Sequence, residues 1–247
     1  MGEPGTGRSS RPGVLAGARA TTVPSLIGAV VGAFVLVEAL LLGLGLLITR
    51  VLDHGAVHRD ELDFEDAVLA RRTPTWNTVT HYGTLLGATT TVAALTAAGC
   101  LVLAMRRYGP RLPLFLALAV IGETLLFLLA ETLLDRVRPP IPHLDAAPPT
   151  SSFPSGHTAA SVALWVGLAL GLARTRPAHP LRFLSWSLAV AVPLFVLLSR
   201  LYRGMHWPTD VTASVLFTLV WLLLLQAVLL PARRRQDGGP GPSGGSP

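Results

Sequence analysis

The chain has 247 residues, 51% of them hydrophobic and 14% charged, with a mean hydropathy of +0.54. Soluble domains carry about a quarter charged residues, so this balance excludes an ordinary soluble globule and points to a polytopic membrane protein. All 20 basic residues are arginine, and no alternation of basic and aromatic residues suited to stacking bases accompanies the net charge of +6, so nucleic acid is not read as a partner.

Residues 1–22 are rich in Gly, Ser, Pro and Arg without hydrophobic periodicity and read as a disordered tail. The run 23–48 is longer than the apolar core of a secretory signal and reads as a retained span, interrupted by Glu38. Residues 50–76 interleave Asp53, Asp60, Glu61, Asp63, Glu65 and Asp66 with Phe64, Val68 and Leu69, the pattern of an amphipathic helix lying on the membrane surface. Further apolar runs at 78–105, 112–134, 158–173, 181–198 and 211–230 complete six spans. The expected fold is therefore all-α: a six-span membrane domain over 23–230, followed at 231–247 by a second disordered tail that opens with Arg233, Arg234 and Arg235. Cys100, inside an apolar run, has no partner for an intrachain disulfide.

If six spans alternate, the arginines at 8, 11 and 19, at 106, 107 and 111, at 174, 176 and 182, and in the terminal triplet fall on one side. The positive-inside rule makes that side cytoplasmic, and both termini with it. The acidic segment, the loop 135–157 and the stretch 199–210 then share the outer face of the cell membrane.

Three polar clusters sit at span ends on that face. In the first, Arg136 and Arg138 precede Pro139 and a proline-rich connection that cannot be helical. The second is Pro154-Ser155-Gly156-His157. Here Ser155 is placed to cap a helix, Gly156 lets backbone N–H groups approach an anion, and His157 stands beside them as a proton donor. The third runs from Ser199-Arg200 to His206 and Asp210. Pro208 is suited to open a helix. The four-residue spacing lets the Asp210 carboxylate accept a hydrogen bond from one imidazole nitrogen of His206, leaving the other to act as base or nucleophile. Arg200 supplies a fork suited to phosphate. Each cluster alone has an ordinary structural reading; three on one face imply a shared ligand.

The strings PSGH and SR-x5-H-x3-D, in that order after an RP pair, resemble the type 2 phosphatidic acid phosphatase family, membrane lipid-phosphate phosphatases related to vanadium haloperoxidases. The resemblance covers about residues 60–230, with the core motifs at 131–210. It implies a six-helix membrane fold and hydrolysis of a lipid phosphate or diphosphate without metal or cofactor. In that scheme His206 attacks phosphorus to form a phosphohistidine, Asp210 orients it, and His157 protonates the leaving oxygen. Arg138, Arg200, Ser155 and the Gly156 N–H hold the phosphoryl oxygens. Substrate candidates are undecaprenyl diphosphate, phosphatidic acid and phosphatidylglycerol phosphate, with a lean to the prenyl diphosphate. A lipid phosphotransferase using the same site, or a non-catalytic relative, is the alternative. Membrane lipids are the surroundings, and oligomeric state is not legible.

One departure stands out. The family's first motif begins with a lysine seven residues before the arginine of the RP pair, where this chain has Glu131. The expectation is that Arg136 supplies the missing charge and that Glu131 is turned away or paired to an arginine. Glu38 and Glu123 are intramembrane carboxyls, read as groups used in helix packing, although such groups invite functional readings. His143 and Asp145, and the Thr150-Ser151-Ser152 run, are second-rank candidates for contacting a headgroup.

Overall fold

The computed structural model of the chain describes residues 22–175 and 177–231. Apart from Thr22 and Pro231, the two expected tails lie outside the described residues, as do Arg176 and the arginines of both tails. The described residues form helices α1 (Val23–Arg50), α2 (Ala56–Ala70), α3 (Pro74–Leu86), α4 (Thr89–Met105), α5 (Arg111–Leu133), α6 (Gly156–Ala173), α7 (His179–Tyr202) and α8 (Pro208–Leu229), with a 3-10 turn at Leu52–His54 between α1 and α2.

Helices α1, α5, α6, α7 and α8 are each long and apolar enough to cross a bilayer, and α3 with α4, bent by 47°, is a sixth when the pair is taken as one span. The six-span, all-α expectation stands, with one correction. The run 78–105 is not a continuous helix but breaks between Leu86 and Thr89. Gly87 sits at the break because there is no room for a side chain: a Cβ would lie 2.8 Å from the backbone oxygen of His157 and 2.8 Å from Val196. Glycine is one of the usual sites at which a helix bends sharply.

The core is a seam between α1, α5, α6 and α8. Phe115, Leu116, Ala119 and Leu126 of α5 meet Val162 and Ala163 of α6 and Trp221, Leu222 and Leu225 of α8, all buried. Trp221 closes onto α5 because residue 122 is glycine. Its indole N–H donates to the Ala119 carbonyl at 3.0 Å, and Phe34 of α1 meets its ring edge-on with centroids 6.1 Å apart. In hydrocarbon such close contacts hold helices together through packing, because the lipid is as apolar as the side chains.

The acidic stretch forms α2, but not simply as a surface helix. Glu61 and Glu65 are buried, turned toward the ends of α7 and α8. The buried Arg136 on the facing loop gives the Glu61 carboxylate a partner, whereas neither oxygen of Glu65 has one.

Candidate active site

The residues between α5 and α6 cannot be helical, since prolines recur at 139, 140, 142, 148, 149 and 154. This loop is pinned to itself and to the α7–α8 connection. Ser152 N–H donates to the Arg136 carbonyl at 2.8 Å, Leu144 N–H to the Arg203 carbonyl at 3.1 Å, and the Trp207 indole to the Val137 carbonyl at 2.8 Å.

The α7–α8 connection is short and fixed at both ends. Helix α7 ends with Gly204 at φ +71°, where the Met205 N–H returns to the Arg200 carbonyl and the Gly204 N–H to the Leu201 carbonyl. This is the paired closure of a glycine-terminated helix, which satisfies carbonyls that would otherwise be orphaned. Pro208 then opens α8, and Asp210 reaches back to accept the Trp207 N–H at 3.0 Å. His206 is held between the two helix ends.

His206 and Asp210 are neighbours, but the hydrogen bond expected between them is not made. His206 Nδ1 lies 2.7 Å from the Ser152 carbonyl and 3.9 Å from Asp210 Oδ2. A carbonyl only accepts, so Nδ1 carries the proton and Nε2 is left with its lone pair. Burial, then repulsion from Arg200 and Arg138, hold the His206 imidazole well below its ordinary pKa, against the Ser152 carbonyl, which raises it. His206 is therefore neutral at neutral pH.

Asp210 is engaged elsewhere. It is fully buried and pairs with the Arg136 guanidinium. Arg136 in turn bonds Asp53 at 2.6 and 3.1 Å, Glu61 at 2.9 Å and the Thr209 hydroxyl at 2.7 Å, and its guanidinium lies 5.6 Å from the centre of the Trp207 ring. Burial would weaken its hold on the proton, but Asp210, Asp53 and Glu61 more than offset this and raise its pKa. Glu61 also accepts the Thr209 N–H and hydroxyl at 3.0 and 2.7 Å, placing a carboxylate at the N-terminus of α8 where the helix dipole favours it. Arg136 is thus a strut behind the Asp210 turn. The expectation that it faces the phosphate site in place of a lysine is not met, because three carboxylates draw it the other way and it does not border the cavity described next.

A cavity of about 930 Å³ opens on the other side of His206. Its polar end is bordered by Arg138, Asp145, Gly156, His157, Arg200 and His206, and it runs on between α4 and α5 past Val92, Thr96 and Cys100. Arg138 reaches the Met205 and Ser151 carbonyls through its terminal nitrogens at 2.8 and 3.2 Å. Arg200 is held by the Thr84 hydroxyl at 2.7 Å and Asp145 at 3.0 Å. In both arginines Nε is buried without a hydrogen-bond partner. Two guanidiniums border the polar end of one cavity, each with a buried N–H left unpartnered, an arrangement that suits an anion.

Asp145, a second-rank candidate from sequence, clamps this end. It bonds Arg200 and takes Arg203 with both oxygens, at 2.7 and 2.8 Å. Burial would raise its carboxyl, but Arg203 and Arg200 hold it below the ordinary range. His143 instead contacts the Pro139 carbonyl at 3.1 Å.

Ser155 stands at the N-cap position of α6, yet its side chain caps nothing. Its hydroxyl meets that of Thr158 at 3.0 Å and its N–H donates to Ser214 at 2.8 Å, so the residue is committed to packing α6 on α8 and lies outside the cavity wall. Gly156 does border the cavity. Glu131 also borders it, accepting a 2.7 Å hydrogen bond from Thr150, so it is neither turned away nor, among the described residues, within ion-pair distance of an arginine.

Asp53, His58 and Glu61 bring one ligand atom each within 4.8 Å of one another. The Arg136 guanidinium already bonds both carboxylates, so their oxygens are engaged by this side chain.

A family model, the PAP2 superfamily, matches residues 112–234, spanning α5 to α8 and all three polar clusters. The chain belongs to the PAP2 superfamily. No curated protein matches it by sequence. Among solved structures, this PAP2 protein is similar to the crystal structure of a transmembrane PAP2-type phosphatidylglycerolphosphate phosphatase from Bacillus subtilis. The TM-score is 0.69 with 22% identity, covering 85% of this chain and 98% of the other. That likeness shows the shared fold. The matched region begins at Leu112, so Asp53, Glu61 and Thr84 reach the site from outside it.

Proposed function

We propose that this PAP2 protein is a membrane lipid-phosphate phosphatase working through a phosphohistidine. The observation that carries the reading is the pairing of a neutral His206, its Nδ1 tied to the Ser152 carbonyl, with the Arg138 and Arg200 guanidiniums bordering the same cavity.

Arg138, Arg200 and the Gly156 N–H hold the phosphoryl oxygens, and Nε2 of His206 attacks phosphorus as the bond to the lipid oxygen breaks. His157, bordering the cavity, takes up a proton as the negatively charged phosphate binds beside it and gives that proton to the leaving oxygen. Asp210, 3.9 Å from Nδ1, stabilises the cation that develops on the ring without accepting its hydrogen bond in the resting state. Water then attacks the phosphohistidine, returning a proton to His157 and releasing inorganic phosphate. Phosphoryl transfer of this kind is mostly positioning and charge stabilisation, which the site residues supply without metal or cofactor. The reaction takes place on the outer face, with the lipid chain lying in the apolar part of the cavity. Undecaprenyl diphosphate, phosphatidic acid and phosphatidylglycerol phosphate are the candidate substrates.

The test is phosphate release from these three lipids in detergent with EDTA present, comparing the parent with His206→Ala, together with a rapid quench to trap an acid-labile phosphoprotein. Release and trapping by the parent, both lost in the variant, are expected. Activity that vanishes in EDTA and returns with a divalent ion would overturn metal independence and turn attention to Asp53, His58 and Glu61. Silence from both proteins would favour a transferase or a non-catalytic relative, with Glu131 the first residue to replace.

A further inference from the structure

Glu123 is an intramembrane carboxyl that the proposed chemistry does not use. It lies in α5, is 1% exposed, and stands in the wall of the cavity where the cavity runs between α4 and α5. Oε1 has no hydrogen-bond partner, and Oε2 has only a long 3.5 Å contact with the Thr124 hydroxyl, which itself donates to the Val120 carbonyl at 2.9 Å. Among the described residues no cation lies within ion-pair distance. A carboxyl in hydrocarbon with no cation beside it takes its uncharged form, which carries one donor as well as acceptors.

Its depth is informative. A Cβ on Gly156 would lie 3.0 Å from the Phe127 ring, so Phe127 marks the level of the reaction site on α5. Glu123 is one helical turn earlier on the same face, about 6 Å deeper. In a glycerol-linked lipid the ester carbonyl carbon is separated from phosphorus by five bonds, also about 6 Å at the advance of an extended chain. The first polar group below the phosphate and the one unpartnered carboxyl of the cavity wall therefore fall at the same depth. A prenyl chain offers only hydrocarbon there.

We propose that Glu123 is a specificity-determining residue that donates a hydrogen bond to the ester carbonyl of an acyl-glycerol phosphate and thereby disfavours lipids without that carbonyl. This rests on the lipid-phosphatase reading and deepens it, turning the lean from a prenyl diphosphate to an acyl ester. Glu38 provides the contrast. It too is intramembrane with both oxygens unpartnered, but it lies on α1 and does not border this cavity.

The experiment measures equilibrium binding of dioctanoyl phosphatidic acid and of its dioctyl ether analogue to the full-length protein in detergent, with phosphate release followed separately. The parent should prefer the ester by about five- to tenfold, the effect of one good hydrogen bond. Glu123→Leu should bring the two lipids within about twofold, Glu123→Gln should keep the preference because its amide still donates, and Glu38→Leu should leave it unchanged. A parent that binds both lipids equally, or neither, overturns the inference whether or not any variant folds. A Glu123→Leu protein that keeps the preference overturns it as well. Ester-selective binding without phosphate release would instead retain the inference and remove the phosphatase.

Discussion

His206 shows how an imidazole tautomer can be set by backbone. The Ser152 carbonyl fixes the proton on Nδ1, and burial with two nearby guanidiniums disfavours a second proton. Because the pKa of His206 is lowered, the proposed nucleophile is lost only when the pH falls well below 6.5. The acid limb of kcat/KM should lie below that value, and a limb at or above it would show that His206 is not shielded as described. Arg136 makes a different prediction. Removing it leaves Asp53, Glu61 and Asp210 without their shared cation, and breaking a buried pair costs about 3–5 kcal/mol. Arg136→Ala should lower the melting temperature and activity together, and adding Glu61→Gln should recover part of the loss. An unchanged melting temperature with a raised KM would return Arg136 to the phosphate site. At this scale, His157, Arg200, His206 and Asp210 were legible because each motif is short and folds onto itself at a helix end. The partners of those residues were not. Asp53 lies 83 residues from Arg136 and Asp145 lies 55 from Arg200, and no local spacing encodes a contact of that range.

Among the elements, the break between α3 and α4 touches the site directly. The backbone oxygen of His157 occupies the space a side chain at residue 87 would need. Gly87→Ala should push α3 from α6, reducing turnover while leaving helix content unchanged by circular dichroism. Normal kcat in that variant would show that the bend does not locate His157. Hydropathy could not reveal this break, since the run is apolar on both sides of it. Helix α2 offers a second test. Burial pushes the Glu65 carboxyl up to about 8, against the pull of Arg72, and neither oxygen has a partner. The folded state therefore binds this proton more tightly than the unfolded chain, so the contribution of Glu65 to stability is greatest below pH 4.5 and is lost as the pH rises toward 8. Glu65→Gln should raise the melting temperature more at pH 8.5 than at pH 5; an equal effect at both would mean that the carboxyl is already ionised in the fold. The sequence pattern did place a helix here. It gave no sign that two of its acids face inward, because an acidic face looks the same whether water or an arginine meets it.

For the whole molecule, alternation of six spans puts the loop after α4 and the loop before α6 at opposite ends of the bundle. In a Cys100→Ser background, Tyr108→Cys should react with a membrane-impermeant thiol reagent only after the cells are opened. Ala147→Cys should react in intact cells. The reverse pattern would place the site in the cytoplasm. Six-span architecture was legible from hydropathy alone, since a bilayer demands runs of fixed length. The cavity was not, because its lining comes from α3, α4, α5, α6 and the end of α7, which only packing brings together. The Arg136 strut has one further consequence. The cation belongs to the region that defines the family, whereas two of its three anions come from the first quarter of the chain. The half matched by the family is therefore not a self-sufficient module: residues 111–247 produced alone should be unstable, and supplying residues 1–110 as a separate polypeptide in the same membrane should restore both accumulation and turnover.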